Sequence, residues 1–160
     1  MNYLPIGRLL TPFKTIDEMP VQPCGARGVS GRIELRADLA AGLDDLHGFS
    51  HLIVLYHFHN QRDVRLTVTP FLDDREHGLF ATRAPCRPNP IGLSVLRLQK
   101  VDGTTLEVMD VDMLDGTPLL DIKPYVPAFD QPQGDIRTGW LKTSESGLLT
   151  ARSDERFKQS

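Results

Sequence analysis

The chain has 160 residues, 40% hydrophobic and 24% charged, with a formal net charge of −3. That length suits one domain with a real core, and the acidic balance excludes a global basic field, so contact with nucleic acid would need a local patch. Two cysteines, Cys24 and Cys86, exclude a disulfide scaffold and read as free thiols in a reducing compartment. The start, Met1 to Pro5, has no charged region leading into an apolar stretch, and no apolar run approaches membrane-spanning length, which points to a soluble, cytoplasmic protein without a membrane partner.

Twelve prolines and thirteen glycines cut the chain into short pieces that read mostly as strands. Ile33 and Leu35 alternate with charged residues as in a half-buried strand. Asp38, followed by Leu39, Leu43 and Leu46 on one face and Gly48 at the stop, predicts the one short helix. The run from Leu52 to Tyr56 predicts a strand buried on both faces. Val64, Leu66 and Val68 alternate with polar residues. Ile91, Leu93 and Val95 alternate too, then Leu96 and Leu98 continue in the opposite phase. Leu106 and Val108 pass into Val111 and Met113 with another slip. Phase slips mark bulges or bends, and closely spaced strands with turns between them predict an all-β barrel or sandwich. The glycines at 25, 28 and 31 precede a strand and have the wrong spacing for a dinucleotide fingerprint, and the helices of a doubly wound fold are missing. From Gln131 the composition turns to Ser, Thr, Gly and charge, which predicts a C-terminal extension over 131–160 anchored by Trp140 and Leu141.

Two stretches carry the candidate chemistry. In Arg87-Pro-Asn-Pro-Ile-Gly92, prolines 85, 88 and 90 restrain their neighbours, so Arg87 and Asn89 sit on a stiff turn. The turn reads either as a rigid connection or as a pre-organised binding loop. Residues 83–100 hold four basic side chains and no acid, whereas 102–121 hold six acids and no base. Such neighbours either pair as strands or frame a site for a ligand of both signs. In Asp115-Gly-Thr-Pro118 and Asp121-Ile-Lys-Pro-Tyr125, the period of two puts Asp121, Lys123 and Tyr125 on one face, as a polar cluster or as a structural ion pair at a strand end. His57 and His59 share a face but lack further ligands nearby in sequence, so no metal site is expected, and His59 fits a pocket rim better.

With Pro5-Ile6-Gly7, Pro12-Phe13, Pro20-Val21-Gln22, Gly48-Phe49-Ser50-His51-Leu52, Phe58-His59 and Phe80-Ala81-Thr82-Arg83, these motifs resemble the TsaA-like (TrmO) family over about residues 4–130. The resemblance implies a single-sheeted β-barrel, a homodimer, and S-adenosylmethionine as cofactor. It implies N6-methylation of threonylcarbamoyl-adenosine beside the anticodon of a tRNA. Carried over by position, cofactor contacts fall on Pro20, Val21, Gln22, His59, Asn60, Arg83, Leu93, Asp112, Met113, Leu114 and Asp115. Asp121, Lys123 or Tyr125 is then expected on the acceptor side, with Tyr125 or Phe80 able to face a sulfonium and Arg87 and Asn89 toward the nucleic acid. Some members carry a further small C-terminal domain, which the roughly 30 residues after Asp130 lead one to expect absent or vestigial here. Methylation of another acceptor, or a donor-binding module without catalysis, are the alternatives.

Overall fold

Six antiparallel strands close on themselves in the computed structural model, which describes residues 2–20 and 23–141. In chain order these are β1 (Gly7–Leu10), β2 (Ser30–Leu35), β3 (His51–His57), then β6 (Ile91–Asp102), β7 (Thr105–Met109) and β8 (Thr117–Pro124). They run around the barrel as β1-β2-β7-β6-β3-β8, with β8 returning to β1. The short pair β4 (Thr67–Val68) and β5 (His77–Gly78) stands apart from it. Closure leaves no edge to be paired by another chain, which suits an antiparallel sheet of short strands.

Inward positions supply the core: Leu9, Ile33, Leu52, Val54, Leu96, Leu106, Val108 and Leu119 are all buried. Leu43 and Leu46 stopper one region of it, but the predicted helix takes another form. Residues Ala37–Leu43 and Leu46–Gly48 are two 3-10 helices, broken at Asp45 with φ 63°, and Asp38 lies in the first turn, paired with Arg36, instead of capping. The α-helix among the described residues is α1 (Pro127–Asp130), whose Asp130 carboxylate accepts from the Val126 amide at 2.6 Å. No helix among them is long and apolar enough to cross a membrane.

Three strands differ from what their sequence pattern predicts. β3 alternates, with Leu52, Val54 and Tyr56 inward and Ile53 and Leu55 half-buried outside, because a barrel wall has one core face. The 64–68 alternation yields only the two-residue β4, with Val64 and Leu66 exposed. In β6 the inward residues are Gly92, Ser94 and Leu96, so Ile91, Leu93 and Val95 form the outer face and no slip occurs at 95–96. The register shift comes later, between Leu98 and Lys100 against β7. The slip after Val108 is real: Asp110 adopts φ 71°, and Val111 and Met113 return to the core. Asp110 is held there by Arg97, at 2.5 and 2.9 Å, and by the Gly28 amide at 2.7 Å, so part of the charge contrast between segments is strand pairing.

Candidate functional site

A cavity of about 960 Å³ opens where β3, β6 and the 112–117 segment meet the long excursion between β3 and β6. That is the upper end of the roughly 300–1,000 Å³ usual for small-molecule pockets. The barrel supplies Tyr56, Gly92, Leu93 and Thr117, and the excursion supplies Phe71, Phe80, Arg83 and Arg87. A buried cluster of Val68, Leu79, Ala84 and Cys86, with Phe71 against it, gives the excursion a small core of its own. Cys86 is buried, which pushes its thiol pKa up.

The stiff turn has a structural explanation. The Arg87 amide donates to Pro85 O and the Ile91 amide to Asn89 O, each at 2.7 Å, giving two three-residue turns around the prolines. Gly92 ends the motif because the Tyr56 ring lies against it: a Cβ there would sit 2.2 Å from Cε2. The Tyr56 hydroxyl lies 3.1 Å from Ser94 Oγ, which donates to Asp112 Oδ1 at 2.7 Å. With the serine proton committed to the carboxylate, the phenol donates to the serine, and the chain of bonds fixes Asp112 at the cavity wall.

Burial pushes the Asp112 carboxyl up to about 6, against the opposing Ser94 hydrogen bond and the Arg83 charge. Burial, and then the Asp112 charge, raises the Tyr56 phenol pKa, so it stays a donor. Burial, then His57, lowers the pKa of His59, whose Nδ1 lies 3.5 Å from Thr117 Oγ1. The 112–115 segment is tied to β1: Thr11 Oγ1 donates to Met113 O at 2.8 Å. Opposite, the Glu18 carboxylate accepts the Lys14 and Thr15 amides at 2.9 and 3.1 Å, shaping the turn that brings Ile16, Met19 and Pro20 to the cavity.

Of the expected contact residues, Pro20, His59, Asn60, Arg83, Leu93, Asp112, Met113 and Leu114 share this lining. Val21 and Gln22 lie outside the described residues. Asp115 does not join them: its carboxylate accepts from the Thr11 amide at 2.9 Å and pairs with Lys14 at 2.5 Å. Lys14, first among the causes, holds the Asp115 pKa low. Arg87 lines the cavity, but its Nη1 donates to Thr82 O and Ala84 O, at 3.0 and 3.4 Å, and its guanidinium stands 5.6 Å from the Phe80 ring centre. Asn89 is exposed outside the lining.

The trio at 121–125 is placed elsewhere in its own chain. Ile122 pairs with Val54 and Pro124 with Leu52, both inward, so Asp121 and Lys123 share the outer face with Leu55 and Ile53. A register shift at Leu55/Tyr56 separates this phase from inward Thr117 and Leu119. Lys123 and Asp121 form an exposed ion pair at 2.5 Å, and Tyr125 meets His51 edge-on. No group of three metal-ligating side chains gathers among the described residues.

Sequence reasoning did not place Tyr56 and Ser94 in the site. A tyrosine closing an apolar run, and a serine where Leu93 and Val95 flank it, were the available signals. Nor did it place Trp140, which stacks on His77 at 4.4 Å while its indole N–H donates to Ala81 O at 2.8 Å. Thr138, Trp140 and Leu141 thereby line the same cavity.

The profile described as the tRNA-methyltransferase O N-terminal domain matches residues 8–131. A probable S-adenosyl-L-methionine-binding protein of Pyrococcus abyssi is 48% identical over 97% of this chain and 84% of its own length. A mouse tRNA (adenine(37)-N6)-methyltransferase is 37% identical over 81% of this chain, but only 32% of its own. The crystal structure of TrmO from Pseudomonas aeruginosa superposes with a TM-score of 0.72 at 37% identity over 88% of this chain. The chain spans 62% of that solved chain.

Proposed function

The chain belongs to the tRNA-methyltransferase O N-terminal-domain family, and from that premise we propose that it binds S-adenosylmethionine in this cavity and methylates tRNA, the acceptor being N6 of threonylcarbamoyl-adenosine beside the anticodon. The observation that carries the reading is the convergence of Pro20, His59, Asn60, Arg83, Leu93 and 112–114 from separate segments on one cavity.

The residues fit that donor. Asp112 offers a fixed carboxylate toward its cationic end, and Arg83 offers a charge for its carboxylate. Leu93, Met113 and Leu114 offer apolar surface for its adenine. When bound, the donor supplies an electrophilic methyl group for in-line displacement. The protein's part is therefore largely positioning, with water excluded by the apolar lining. The acceptor nitrogen must also lose a proton. Asp112, its carboxyl pushed up to about 6 by burial, and His59, its imidazole pKa lowered by burial and then by His57, are the lining groups able to accept it.

A homodimer belongs to the same reading. Ile53, Leu55, Ile91, Leu93 and Val95 form an apolar outer strip across β3 and β6, with Ile91 40% and Leu93 49% exposed. Leu93 also lines the cavity, so the strip is continuous with the site. Asp121 and Lys123 stand on that face, and a second copy docked there would carry them toward the acceptor. The barrel over 4–130 and the extension over 131–160 are the units of this proposal.

Calorimetric titration with S-adenosylmethionine tests donor binding. Mass spectrometry of nucleosides from tRNA treated with protein and donor tests the acceptor, the expected product being N6-methyl-threonylcarbamoyl-adenosine. Binding with methylation of no tRNA would leave a donor-binding module, and no binding would sink both readings. Sedimentation velocity reads the dimer, and a monomer at micromolar concentration removes any role for Asp121 and Lys123 across an interface.

A further inference from the structure

Phe80 is 76% exposed at the mouth of the cavity, the most open of the large apolar side chains on the described chain. It is nevertheless firmly mounted. The 3-10 turn Leu79–Ala81 is rooted by buried Leu79, the Thr82 hydroxyl donates back to Leu79 O at 2.8 Å, and the Arg87 guanidinium stands 5.6 Å from its ring centre. The adjacent residue, Ala81, accepts the Trp140 indole N–H at 2.8 Å. Trp140 itself stacks on His77 at 4.4 Å with the planes 21° apart, and Asp73 lies 2.9 Å from His77 Nε2. Two aromatic side chains of one cavity lining are therefore each held in place, with Arg87 as a cation beside them that the donor does not use.

Of the groups that suit the donor, Asp112, Leu93, Met113 and Leu114 belong to the barrel and the 112–117 segment, and His59, Asn60 and Arg83 reach in from the excursion, which also carries Phe80, while Trp140 comes from the extension. A cavity of about 960 Å³ has room for more than the donor. Exposed aromatics flanked by arginines are the means by which single-stranded RNA bases are held, since every base offers a π-face and the phosphates beside it need cations. An adenosine in a loop must leave its stack before its N6 substituent can reach an enclosed methyl donor.

We infer that Phe80 and Trp140 form the platform on which the unstacked acceptor purine of the RNA is held, so that the extension through Trp140 is part of the acceptor site. This rests on the proposed function above. Phe80 and Trp140 act here by contact with the base, while His77 and Ala81 position Trp140.

The test uses the full chain, with Phe80→Ala, Phe80→Tyr, Trp140→Ala and Trp140→Phe. Three quantities are read: donor affinity by calorimetry, kcat/KM for tRNA at saturating donor, and the emission of Trp140, the sole tryptophan of the chain. Phe80→Ala is expected to lower kcat/KM about tenfold or more, mainly through KM, with donor affinity within about twofold and the aromatic Phe80→Tyr restoring it. Trp140→Ala should act in the same direction and Trp140→Phe less, with thermal unfolding monitored to confirm an intact barrel. Adding an anticodon stem-loop RNA to protein loaded with S-adenosylhomocysteine should quench Trp140. Unchanged kcat/KM in Phe80→Ala, an equal loss of donor affinity, or no quenching by the RNA overturns the platform. Failure of the unaltered protein to bind the donor would instead overturn the reading on which it rests.

Discussion

Replacing Gly92 by alanine perturbs the contact that joins the proline-rich turn to the buried network. The added Cβ would lie 2.2, 2.4 and 2.9 Å from three atoms of the Tyr56 ring. Tyr56 is 4% exposed, packs edge-on against Phe58 at 5.4 Å and is anchored to Ser94, so a shift of the ring toward the cavity it lines breaks that anchor. Overpacking of this kind costs about 1–3 kcal/mol. A ring displaced from Ser94 forfeits about 1 kcal/mol more for the hydrogen bond. The sum, about 2–4 kcal/mol, corresponds to a fall in Tm of about 5–15 °C for a chain of this size. Thermal unfolding followed by circular dichroism measures it. The companion Gly92→Ala/Tyr56→Leu should be more stable than the two single changes sum to, by about 1 kcal/mol or more, because removing the ring removes the clash. A Tm for Gly92→Ala within about 2 °C of the parent, or strictly additive changes, would refute the packing argument.

Ser94→Ala should destabilise by about 1–3 kcal/mol in urea unfolding, since it leaves the Tyr56 hydroxyl and an Asp112 oxygen without their partner. It should also raise the Asp112 pKa further, visible as an upward shift in the pH profile of donor binding. The sign of the Asp112 effect on stability follows from its raised value. The folded chain holds this proton to about pH 6 and the unfolded chain only to about 3.8, so the penalty for the buried charge is absent at low pH, grows as pH rises through that window, and is fully present above it. Relative to the parent, Asp112→Asn should therefore gain up to about 3 kcal/mol between pH 4 and 7.5 in denaturant titrations. Donor affinity of the parent moves the other way, tightening as Asp112 ionises through pH 6, and a flat calorimetric profile would count against Asp112 as the counter-charge. Arg83 is exposed, so Arg83→Ala should leave Tm nearly unchanged while weakening donor binding about tenfold or more by calorimetry.

Much of this molecule is written in short-range pattern. The β2, β6 and β7 segments announce themselves by alternation, because successive side chains of a strand point to opposite faces whatever lies around them, and β3 by its unbroken apolar run. The turn at Asp115-Gly116 is equally local, with Gly116 at φ 74°. Pro20, His59, Asn60, Arg83, Leu93 and 112–114, singled out by the linked motifs, line one cavity among the described residues.

Facing is a different matter. Apolar Ile91, Leu93 and Val95 look inward by composition, yet pairing with β3 turns them out and puts Gly92 and Ser94 inside, where the Tyr56 ring needs the space of one and the hydroxyl of the other. Asp121 and Lys123 share a face as their spacing requires, but the register shift at Leu55/Tyr56 decides that it is the outer one. A single inserted residue reverses every side chain beyond it, and nothing in β8 alone records that. The same holds for 3-10 geometry at 37–48, where packing of Leu43 and Leu46 accommodates a left-handed Asp45 against helical spacing. Trp140 reads as an anchor without an address, since its partners His77 and Ala81 are distant in sequence and only the closed fold brings them to it. Local pattern marked β2, β3, β6 and β7 as strands. Barrel closure decided which of their residues meet one another, and so what the cavity contains.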